Sequence, residues 1–334
     1  MVRIAINGFG RIGRAAFKIA LDHPEEVEVI GINDLGEPDN LAYLLKYDSV
    51  YGPYGRPVKI ADGKLVVGTT TVAVFAQKDP VKLPWKDLAI DVVIESTGVF
   101  TDAAGASLHL AAGAKKVMIT APTKDAAIIT VVKGVNDAEI TGKEIVSNAS
   151  CTTNCVAPIA AIMHNVFGVE KALLTTTHAY TATQALVDGP GKKDWRGGRA
   201  AAINLIPAST GAAISATQAL PALKGKFDGI SIRVPVPVVS LSDCTFLLKK
   251  DVSVEEVNAA FTSAVDNQLY KGVVAVTDEP VVSSDFIGDP HSAIVDLAMT
   301  RVVGGNLVKV LAWYDNEWGY SNRLIEQVIE LGEG

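Results

Sequence analysis

The sequence predicts an α/β protein built from two sheets of different kinds. In the first half, short β-branched runs alternate with helical stretches, which indicates a doubly wound sheet of parallel strands. In the second half, longer runs alternate between apolar and polar residues, which indicates an α+β domain with a mostly antiparallel sheet. The length of 334 residues suggests roughly two domains, at about 150 residues each.

The composition is that of an ordinary globular protein, with 49% hydrophobic and 20% charged residues. Lys and Arg number 30 against 37 Asp and Glu, so the formal net charge is −7. This acidic balance disfavours a general nucleic-acid or anionic-membrane binder, but it allows a local basic pocket for a small anion. We therefore expect neither nucleic acid nor a membrane among the partners.

Three features bear on the cellular compartment. The cysteines, Cys151, Cys155 and Cys244, are few and odd in number, which favours a reducing cytoplasmic location. The apolar run that ends at Ile6 is too short for a signal peptide. The uncharged stretch from Ala200 to Leu223 is long enough to cross a membrane, but its prolines and polar residues favour a buried loop plus a helix.

The elements of the first half follow from the hydrophobic pattern. A strand at Val2–Ile6, a helix at Arg11–Leu21 and a strand at Val27–Asn33 form a predicted βαβ unit. A short helix is predicted at Leu41–Tyr47. Further β-branched runs predict strands at Thr70–Phe75, Val92–Glu95, Lys116–Thr120, Ile128–Val131 and Glu144–Val146.

The pattern of predicted strands and helices changes near residue 150. A glycine-rich, charged loop from Thr181 to Ala200 is long for a compact domain, which indicates a functional or interface segment. Helices are predicted at Gly211–Leu220, Val254–Asn267 and Glu317–Leu331, the last with an amphipathic pattern. Alternating runs predict strands at Ala172–Ala179, Gly229–Val236, Val239–Lys249 and Leu307–Tyr314.

The glycines Gly8, Gly10 and Gly13 form a G-x-G-x-x-G motif between a predicted strand and a predicted helix. Such glycines allow a tight turn, close approach to a pyrophosphate and close helix packing, as in a Rossmann-type sheet. Asp34 ends the next strand, where it can accept hydrogen bonds from ribose hydroxyls and would repel a 2′-phosphate. The motif therefore predicts a dinucleotide site that favours NAD over NADP. The alternative is a glycine-rich turn with an incidental acid.

Cys151 follows a predicted strand and precedes a predicted helix, for which Ser150 or Thr152 is the expected cap. At a helix N-terminus the macrodipole favours a thiolate, so Cys151 is a candidate nucleophile. The alternative is a small buried residue, which is the preferred interpretation of Cys155. A metal site is not expected, because no further cysteine or histidine at useful spacing accompanies this pair.

His178 lies near the end of a predicted strand among small polar residues, and an imidazole there could activate a thiol. A structural histidine is the alternative. Arg233, on another predicted strand, is a candidate for binding an anion, the alternative being a surface charge. Hydroxyl and backbone donors that suit a phosphorylated substrate are Thr181, Thr183, Ser209, Thr210 and Gly211, the last three at a predicted helix start.

Six blocks of sequence carry a family resemblance. They are Asn7–Arg14 (NGFGRIGR), Leu45–Ser49 (LKYDS), Glu95–Phe100 (ESTGVF), Ser150–Cys155 (SCTTNC), Pro207–Gly211 (PASTG) and Trp313–Glu317 (WYDNE). In order and spacing, from residue 1 to about 330, the chain resembles the phosphorylating glyceraldehyde-3-phosphate dehydrogenase family. The cysteine block is highly specific.

The resemblance implies a homotetramer whose subunit has an NAD-binding domain (residues 1–150 with 317–334) and a catalytic domain (residues 151–316). It implies Cys151 as nucleophile, His178 as its partner, and no metal. Ligands of the substrate and of inorganic phosphate are implied at Ser150, Cys151, Thr152, Thr181, Thr210, Gly211 and Arg233. NAD contacts are implied at Gly8, Gly10, Arg11, Ile12, Gly13, Asp34, Lys78, Thr97, Thr120 and Asn316.

The implied reaction is the NAD-dependent oxidation of glyceraldehyde 3-phosphate to 1,3-bisphosphoglycerate through a cysteine hemithioacetal and a thioester. Three alternatives stay open: the same chemistry on erythrose 4-phosphate, a semialdehyde dehydrogenase, and a catalytically silent NAD-binding or thiol-redox regulator. Whether Arg196 or Arg199 replaces an arginine that some family members place at Gly197 also stays open.

Overall fold

A computed structural model describes residues 1–191 and 194–334, which divide into two compact units. Unit 1 consists of residues 1–131, 138–149 and 321–334, and unit 2 of residues 132–137 and 150–320. In the part of the chain that the structure describes, no helix is both long and apolar enough to cross a bilayer.

Seven α-helices are found in the described residues. They are α1 (Arg11–Ala20), α2 (Pro38–Lys46), α3 (Ala103–Ala111), α4 (Cys151–Phe167), α5 (Ala212–Ala219), α6 (Val254–Val265) and α7 (Trp318–Glu333). The strands of unit 1 are β1 (Val2–Asn7), β2 (Val27–Asn33), β3 (Tyr47–Asp48), β4 (Gly52–Pro53), β5 (Val58–Ala61), β6 (Lys64–Val67), β7 (Thr70–Phe75), β8 (Val92–Glu95), β9 (Lys116–Ile119), β10 (Ile129–Thr130) and β11 (Ile145–Ser147). The strands of unit 2 are β12 (Val169–Ala179), β13 (Ile206–Ser209), β14 (Phe227–Val234), β15 (Ser240–Leu248), β16 (Val274–Thr277), β17 (Ala293–Asp296), β18 (Arg301–Val303) and β19 (Leu307–Tyr314).

The main sheet of unit 1 has the strand order β10-β11-β9-β8-β1-β2-β7-β6-β5. All pairs from β10 to β7 are parallel, which confirms the predicted doubly wound sheet. The antiparallel hairpin β5–β6 at its edge was not predicted. Its turn residues, Asp62 and Gly63, have φ angles of 50° and 71°, so the Asp-Gly pair was the sequence signal for this hairpin.

Helix α7 completes unit 1 from the far end of the chain. Lys116 Nζ on β9 donates to Leu331 O at 2.6 Å, and Asn148 Nδ2 donates to Gln327 Oε1 at 2.5 Å. The apolar stripe predicted for this helix is buried at Leu324, Ile325, Val328, Ile329 and Leu331. Burying such a stripe against a sheet is what stabilises an amphipathic helix in this position.

The large sheet of unit 2 has the order β13-β14-β12-β15-β19-β17-β16, with β18 beside β19. Five of its seven pairs are antiparallel, and β12–β14 and β16–β17 are parallel, which confirms the prediction of a mostly antiparallel sheet. The parallel pairing of β12 with β14 sets His178 opposite Arg233. This register positions the candidate site.

The prediction of a buried stretch over Ala200 to Leu223 is wrong in part. The predicted helix is present as α5, but Ile203 and Leu205 are 80% and 70% exposed. The lack of charged residues in this stretch therefore has two sources: one part is exposed apolar surface, and another part is the buried helix α5.

Candidate active site

The N-terminus of α4 presents Cys151 at the first helical position. Ser150 is the cap, because its Oγ accepts a hydrogen bond from Thr153 N at 3.1 Å. Thr152, the other predicted cap, instead lies inside the helix and bonds Tyr314 Oη at 2.9 Å. The capped terminus fixes the position from which the Cys151 side chain projects.

Cys151 Sγ lies 3.5 Å from His178 Nε2, so the two predicted catalytic residues form a hydrogen-bonded pair. His178 is the penultimate residue of β12 and is 5% exposed, whereas Cys151 is half-buried. Cys155 and Cys244 are both buried, and all three thiols are free. Cys151 is thus the accessible thiol among the three.

Burial raises the pKa of the Cys151 thiol, although the Arg233 charge and hydrogen bonds from Thr152 act in the opposite direction. The sequence argument that the helix terminus favours a thiolate is therefore outweighed by desolvation in the free protein. Burial likewise raises the pKa of Cys155 to about 12, as expected for an inert buried thiol.

His178 has two further polar contacts on its other ring nitrogen. Nδ1 lies 2.7 Å from Ala179 O and 2.6 Å from Arg233 Nη1. Burial, and then the Arg233 charge, lower the pKa of His178 to about 4, so the imidazole is neutral at pH 7. A neutral imidazole within reach of a thiol is the arrangement that general base catalysis requires.

Tyr314 holds the elements around this pair together, a role that sequence reasoning missed. Its buried Oη bonds Thr152 Oγ1 at 2.9 Å and Thr176 Oγ1 at 2.8 Å, which ties β19 to α4 and β12. Its ring lies edge-on to His178, with centroids 6.1 Å apart. The residue stands in one of the blocks that carry the family resemblance, but its hydroxyl contacts depend on tertiary packing.

Two of the predicted anion ligands, Thr210 and Gly211, lie at the start of α5, which is next to the start of α4. Thr153 Oγ1 donates to Ala212 O at 3.3 Å, which sets the start of α5 beside the start of α4. Gly211 is the residue before α5, and Thr210 Oγ1 accepts from Ala212 N at 3.2 Å. Thr181 lies three residues beyond His178, and its hydroxyl bonds that of Thr183 at 2.9 Å.

A second site lies in unit 1, where a cavity of about 960 Å³ opens at the carboxyl ends of β1, β2 and β8. It is lined by Gly8, Gly10, Asp34, Lys78 and Thr97, which are five of the residues proposed above as NAD contacts. Asp34 is held by Phe9 N–H at 2.7 Å and by Gly36 N–H at 2.8 Å.

The three glycines of the motif meet different surroundings. A Cβ at Gly8, where φ is 95°, would lie 2.7 Å from Thr97 N, and one at Gly13 would lie 2.2 Å from Gly8 O. A Cβ at Gly10 would have no atom of the described residues within 4 Å. Packing therefore requires the first and third glycines, whereas the second borders open space. That pattern fits a cradle into which a dinucleotide pyrophosphate comes close.

The remaining predicted cofactor residues differ in their positions. Arg11 is the first residue of α1, but its guanidinium bonds Asp48 at 2.6 Å. Ile12 lies in the first turn of α1, where the backbone N–H groups point out of the helix N-terminus. Thr120 Oγ1 donates to Glu95 O at 3.1 Å. Asn316 lies in unit 2, where its Oδ1 accepts from Ser240 Oγ at 3.0 Å.

A buried polar network behind the unit 1 cavity was not predicted. Glu95 accepts from Asn7 Nδ2 at 2.5 Å, from Thr97 N at 2.9 Å and from the Thr97 hydroxyl, and it lies 3.0 Å from His109 Nε2. Trp85 Nε1 donates to His109 Nδ1 at 3.0 Å, which places the histidine proton on Nε2, facing Glu95. The network fixes two residues of the cavity wall, Asn7 and Thr97. Glu95 is the last residue of β8, and this position at a strand end was the sequence signal that could have identified it as a site residue.

Within residues 1–191 and 194–334, no group of three or more His, Cys, Asp or Glu side chains is arranged to hold a metal ion. The chemistry available in unit 2 is that of a thiol, an imidazole and a guanidinium.

The fold and the two sites define a class: dinucleotide-binding α/β proteins in which a separate unit carries a cysteine–histidine pair. Comparison with known families narrows this class. Residues 2–103 match the family description "Glyceraldehyde 3-phosphate dehydrogenase, NAD binding domain", and residues 150–316 match "Glyceraldehyde 3-phosphate dehydrogenase, C-terminal domain". The chain belongs to the glyceraldehyde-3-phosphate dehydrogenase family.

Individual relatives agree with this assignment over nearly the whole chain. Glyceraldehyde-3-phosphate dehydrogenase 1 of Trichormus variabilis is 51% identical over 333 residues, which cover 99% of this chain and 96% of the relative. Glyceraldehyde-3-phosphate dehydrogenase 1 of Kluyveromyces lactis is 50% identical, covering 98% of this chain and 99% of the relative. Glyceraldehyde-3-phosphate dehydrogenase of Streptomyces coelicolor is 47% identical, covering 99% and 98%.

Proposed function

We propose that this chain catalyses the NAD-dependent oxidation and phosphorylation of glyceraldehyde 3-phosphate to 1,3-bisphosphoglycerate. The observation that carries the proposal is the contact of 3.5 Å between Cys151 Sγ, at the capped start of α4, and His178 Nε2. A thiol paired with a neutral imidazole suits covalent catalysis on an aldehyde. The family of the chain supports the choice of substrate.

In this reaction, Cys151 Sγ bonds to the aldehyde carbon, and its proton passes to His178 Nε2 and on to the alkoxide, giving a hemithioacetal. His178 then accepts the hydroxyl proton as the carbon loses a hydride and becomes a thioester. An oxygen of inorganic phosphate displaces the sulfur, which leaves as the thiolate and accepts the proton from His178. The thioester retains the free energy of oxidation that hydrolysis would dissipate.

The residues of unit 1 fit the binding of NAD, which supplies the hydride acceptor when bound. Asp34 accepts hydrogen bonds from ribose hydroxyls, and its charge disfavours a 2′-phosphate. The open space at Gly10 and the backbone N–H groups of Arg11, Ile12 and Gly13 in the first turn of α1 suit a pyrophosphate. Lys78, Thr97, Thr120 and Asn316 complete the proposed contacts.

The two phosphates are proposed to bind to Arg233, to the side chains of Ser150, Thr152, Thr181 and Thr210, and to Gly211. Support comes from Thr153, whose contact with Ala212 sets the start of α5 next to that of α4. Two neighbouring helix N-termini and one arginine provide positive potential in an otherwise acidic chain.

A steady-state assay of NADH formation tests the proposal. Glyceraldehyde 3-phosphate is supplied with and without inorganic phosphate, with NAD and NADP in parallel, and erythrose 4-phosphate is compared as a second aldehyde. We expect an absolute requirement for phosphate and a higher kcat/KM with NAD and with glyceraldehyde 3-phosphate. Equal turnover without phosphate would favour a semialdehyde dehydrogenase, and no turnover would favour a silent NAD-binding or thiol-redox regulator.

Replacing the nucleophile gives the most direct test of the covalent mechanism. We expect Cys151→Ser to lower kcat by about 10⁴-fold or more while leaving NAD affinity within about twofold, because the variant loses the covalent step only. Cys244→Ser, at a buried thiol of β15, is the matched control and should retain turnover. Comparable activity of the Cys151→Ser and Cys244→Ser enzymes would contradict the mechanism.

We also propose a cytoplasmic homotetramer in which residues 1–150 with 317–334 bind NAD and residues 151–316 carry the chemistry. Exposed apolar side chains of unit 2 support assembly, because patches of this kind mark interfaces. Those between residues 186 and 205 are Leu186, Val187, Trp195, Ile203 and Leu205, each at least 70% exposed. Three free thiols suit a reducing compartment.

A further inference from the structure

A chain of hydrogen bonds runs through the buried wall of the unit 1 cavity, and the backbone fixes its direction at one end. Gln77 N–H donates to Asn33 Oδ1 at 2.8 Å, and Asn33 Nδ2 donates to Gln77 O at 2.9 Å. The Asn33 amide therefore has one possible orientation, in which Nδ2 also donates to Asn7 Oδ1 at 2.7 Å. This contact in turn directs Asn7 Nδ2 to Glu95 Oε2, which accepts it at 2.5 Å.

A second set of donors reaches Glu95 from the opposite side of the wall. The indole of Trp85 can only donate, so its bond to His109 Nδ1 leaves the ring proton on Nε2, which lies 3.0 Å from Glu95 Oε2. Glu95 Oε1 accepts from Thr97 N–H at 2.9 Å and from the Thr97 hydroxyl. Four donors thus converge on two oxygens, which is an arrangement that stabilises an ionised carboxylate.

The charge of this carboxylate has no cationic partner. Glu95 is 1% exposed, and its one ion-pair contact among the described residues is His109, whose ring is neutral because Nδ1 is an acceptor. Charges that leave water are costly and are normally paired. The four donors satisfy the lone pairs of the carboxylate, but they leave a full negative charge inside the wall.

This charge lies directly behind the lining of the cavity. Asn7 and Thr97 both line the cavity, and both donate to Glu95. A single side chain therefore separates the carboxylate from the bound molecule. Asp34 also carries a negative charge at this cavity, but it is half-buried, whereas Glu95 is shielded from solvent and salt screens it little.

The two forms of a nicotinamide dinucleotide differ in how they respond to such a charge. NAD⁺ has a cationic ring and NADH a neutral one, whereas the pyrophosphate, the riboses and the adenine are common to both. A fixed negative charge beside the cavity therefore interacts more favourably with the oxidised form than with the reduced form.

We propose that Glu95 is a fixed buried charge that makes the unit 1 site prefer NAD⁺ to NADH. It is a specificity-determining residue that acts across Asn7 and Thr97 without touching the dinucleotide. The inference rests on the proposed function in one respect, the use of NAD as the hydride acceptor. Weaker binding of the reduced form favours its departure once hydride has been transferred.

The binding of three ligands to the full-length protein separates the charge of Glu95 from its hydrogen bonds. Calorimetric titration gives Kd for NAD⁺, NADH and ADP-ribose, the last of which lacks the nicotinamide ring and reports on the rest of the cavity. The ratio of Kd for NADH to Kd for NAD⁺ tests the proposal, because contacts common to both ligands cancel. We expect Glu95→Gln to lower this ratio about fivefold, the Coulomb effect of a unit charge at about 15 Å in a partly buried site.

The same variant also disturbs the wall, and ADP-ribose measures that effect. The glutamine amide directs N–H groups at donors of the network, so we expect all three ligands to lose affinity by a shared factor. This shared factor does not change the ratio. If the three Kd values rise equally and the ratio stays at its parent value, Glu95 only holds the wall in place and the proposal is wrong.

Two control variants keep the buried charge. His109→Gln retains both hydrogen bonds, because the amide can accept from Trp85 and donate to Glu95, so we expect the parent ratio. Glu28→Gln removes an exposed carboxylate that pairs with Arg3 near the start of β2, away from the strand ends that line the cavity. We expect the parent ratio here as well, and a fall equal to that of Glu95→Gln would overturn the proposal, because net charge would then explain it.

His109→Lys tests the proposal if Glu95→Gln does not fold. An ammonium group beside the carboxylate cancels its charge, while the donors from Asn7 and Thr97 remain. We expect the ratio to fall as it does in Glu95→Gln. A folded His109→Lys protein with the parent ratio would overturn the proposal.

The outcomes separate the inference from the proposed function. If glyceraldehyde 3-phosphate is oxidised with NAD but Glu95→Gln leaves the ratio unchanged, the proposed function stands and the inference is wrong. If the ratio falls but glyceraldehyde 3-phosphate is not oxidised, the inference stands and the proposed substrate is wrong. If the parent protein binds neither NAD⁺ nor NADH, both are wrong.

Discussion

At the scale of single residues, the sequence predicted which side chains matter better than how they meet. Cys151 and His178 were both candidates, but spacing alone left their pairing open because they are joined only by the packing of α4 on β12. The contact of Arg233 with His178 depends on the parallel register of β12 and β14, which local patterns do not encode. The sequence predicted residues whose own side chains suit catalysis or binding, but it did not predict the contacts by which one residue positions another.

The low pKa of His178 predicts a dependence of stability on pH. The unfolded chain binds a proton at this histidine below about pH 6.5, and the folded chain only below about pH 4. Stability is therefore lost as the pH falls through this window, by about 3 kcal/mol in total. Urea unfolding at several pH values between these limits measures the effect.

The matched variant for that measurement is His178→Asn, which keeps a polar side chain but does not titrate. Carboxylates contribute to acid unfolding in both proteins, so the difference between them isolates the histidine. We expect the variant to lose less stability than the parent protein over the same pH window. Parallel curves would show that His178 is protonated as easily in the folded chain as in the unfolded one.

At the scale of elements, strongly patterned segments were predicted well and weakly patterned ones were not. Strand β19 was predicted with the bounds that the structure shows, and the predicted bounds of α1 and α6 differ at the C-terminal end alone. Helix α3 was missed because its sequence is rich in small residues with little amphipathic contrast. The hairpin β5–β6 was missed because each of its strands is only four residues long.

The glycine motif at the start of α1 offers a matched pair of substitutions. Gly13→Ala places a Cβ 2.2 Å from Gly8 O, so we expect a loss of about 1–3 kcal/mol in stability. Gly10→Ala has open space around its Cβ, so we expect unchanged stability but an NAD affinity lower by about tenfold or more, because the methyl group occupies space next to the pyrophosphate.

Thermal unfolding and NAD titration of the two glycine variants separate these effects. A Gly10→Ala protein that binds NAD like its parent would show that the dinucleotide does not come close to this turn. A Gly13→Ala protein of unchanged stability would show that α1 can move away from Gly8 without cost.

At the scale of the whole molecule, the net charge of −7 is compatible with the proposed anion site, because a net charge does not fix the local distribution of donors. Arg233, two helix N-termini and several hydroxyls concentrate donors at one end of the unit 2 sheet. Composition could disfavour classes of partner, but it could not reveal this local grouping of donors, which arises from how the chain folds.

The exposed apolar side chains between residues 186 and 205 of unit 2 lead to a prediction about assembly. We expect Leu205→Asp combined with Trp195→Asp to lower the solution mass from that of the proposed tetramer to that of a smaller species, because charges are costly in a buried interface. Light scattering after size exclusion measures the mass. Val166→Asp, at an exposed valine of α4, is the control and should leave the mass unchanged.

The return of α7 to unit 1 has a consequence for biosynthesis. Strands β1 to β11 are translated before unit 2, but the buried stripe of α7 that covers this unit is translated only after it. Unit 2 lies in between and has its elements in nearly continuous sequence, so it can fold while unit 1 still lacks its final helix. The nascent chain therefore carries an incomplete nucleotide-binding unit while unit 2 is synthesised, and chaperone engagement should be strongest at that unit.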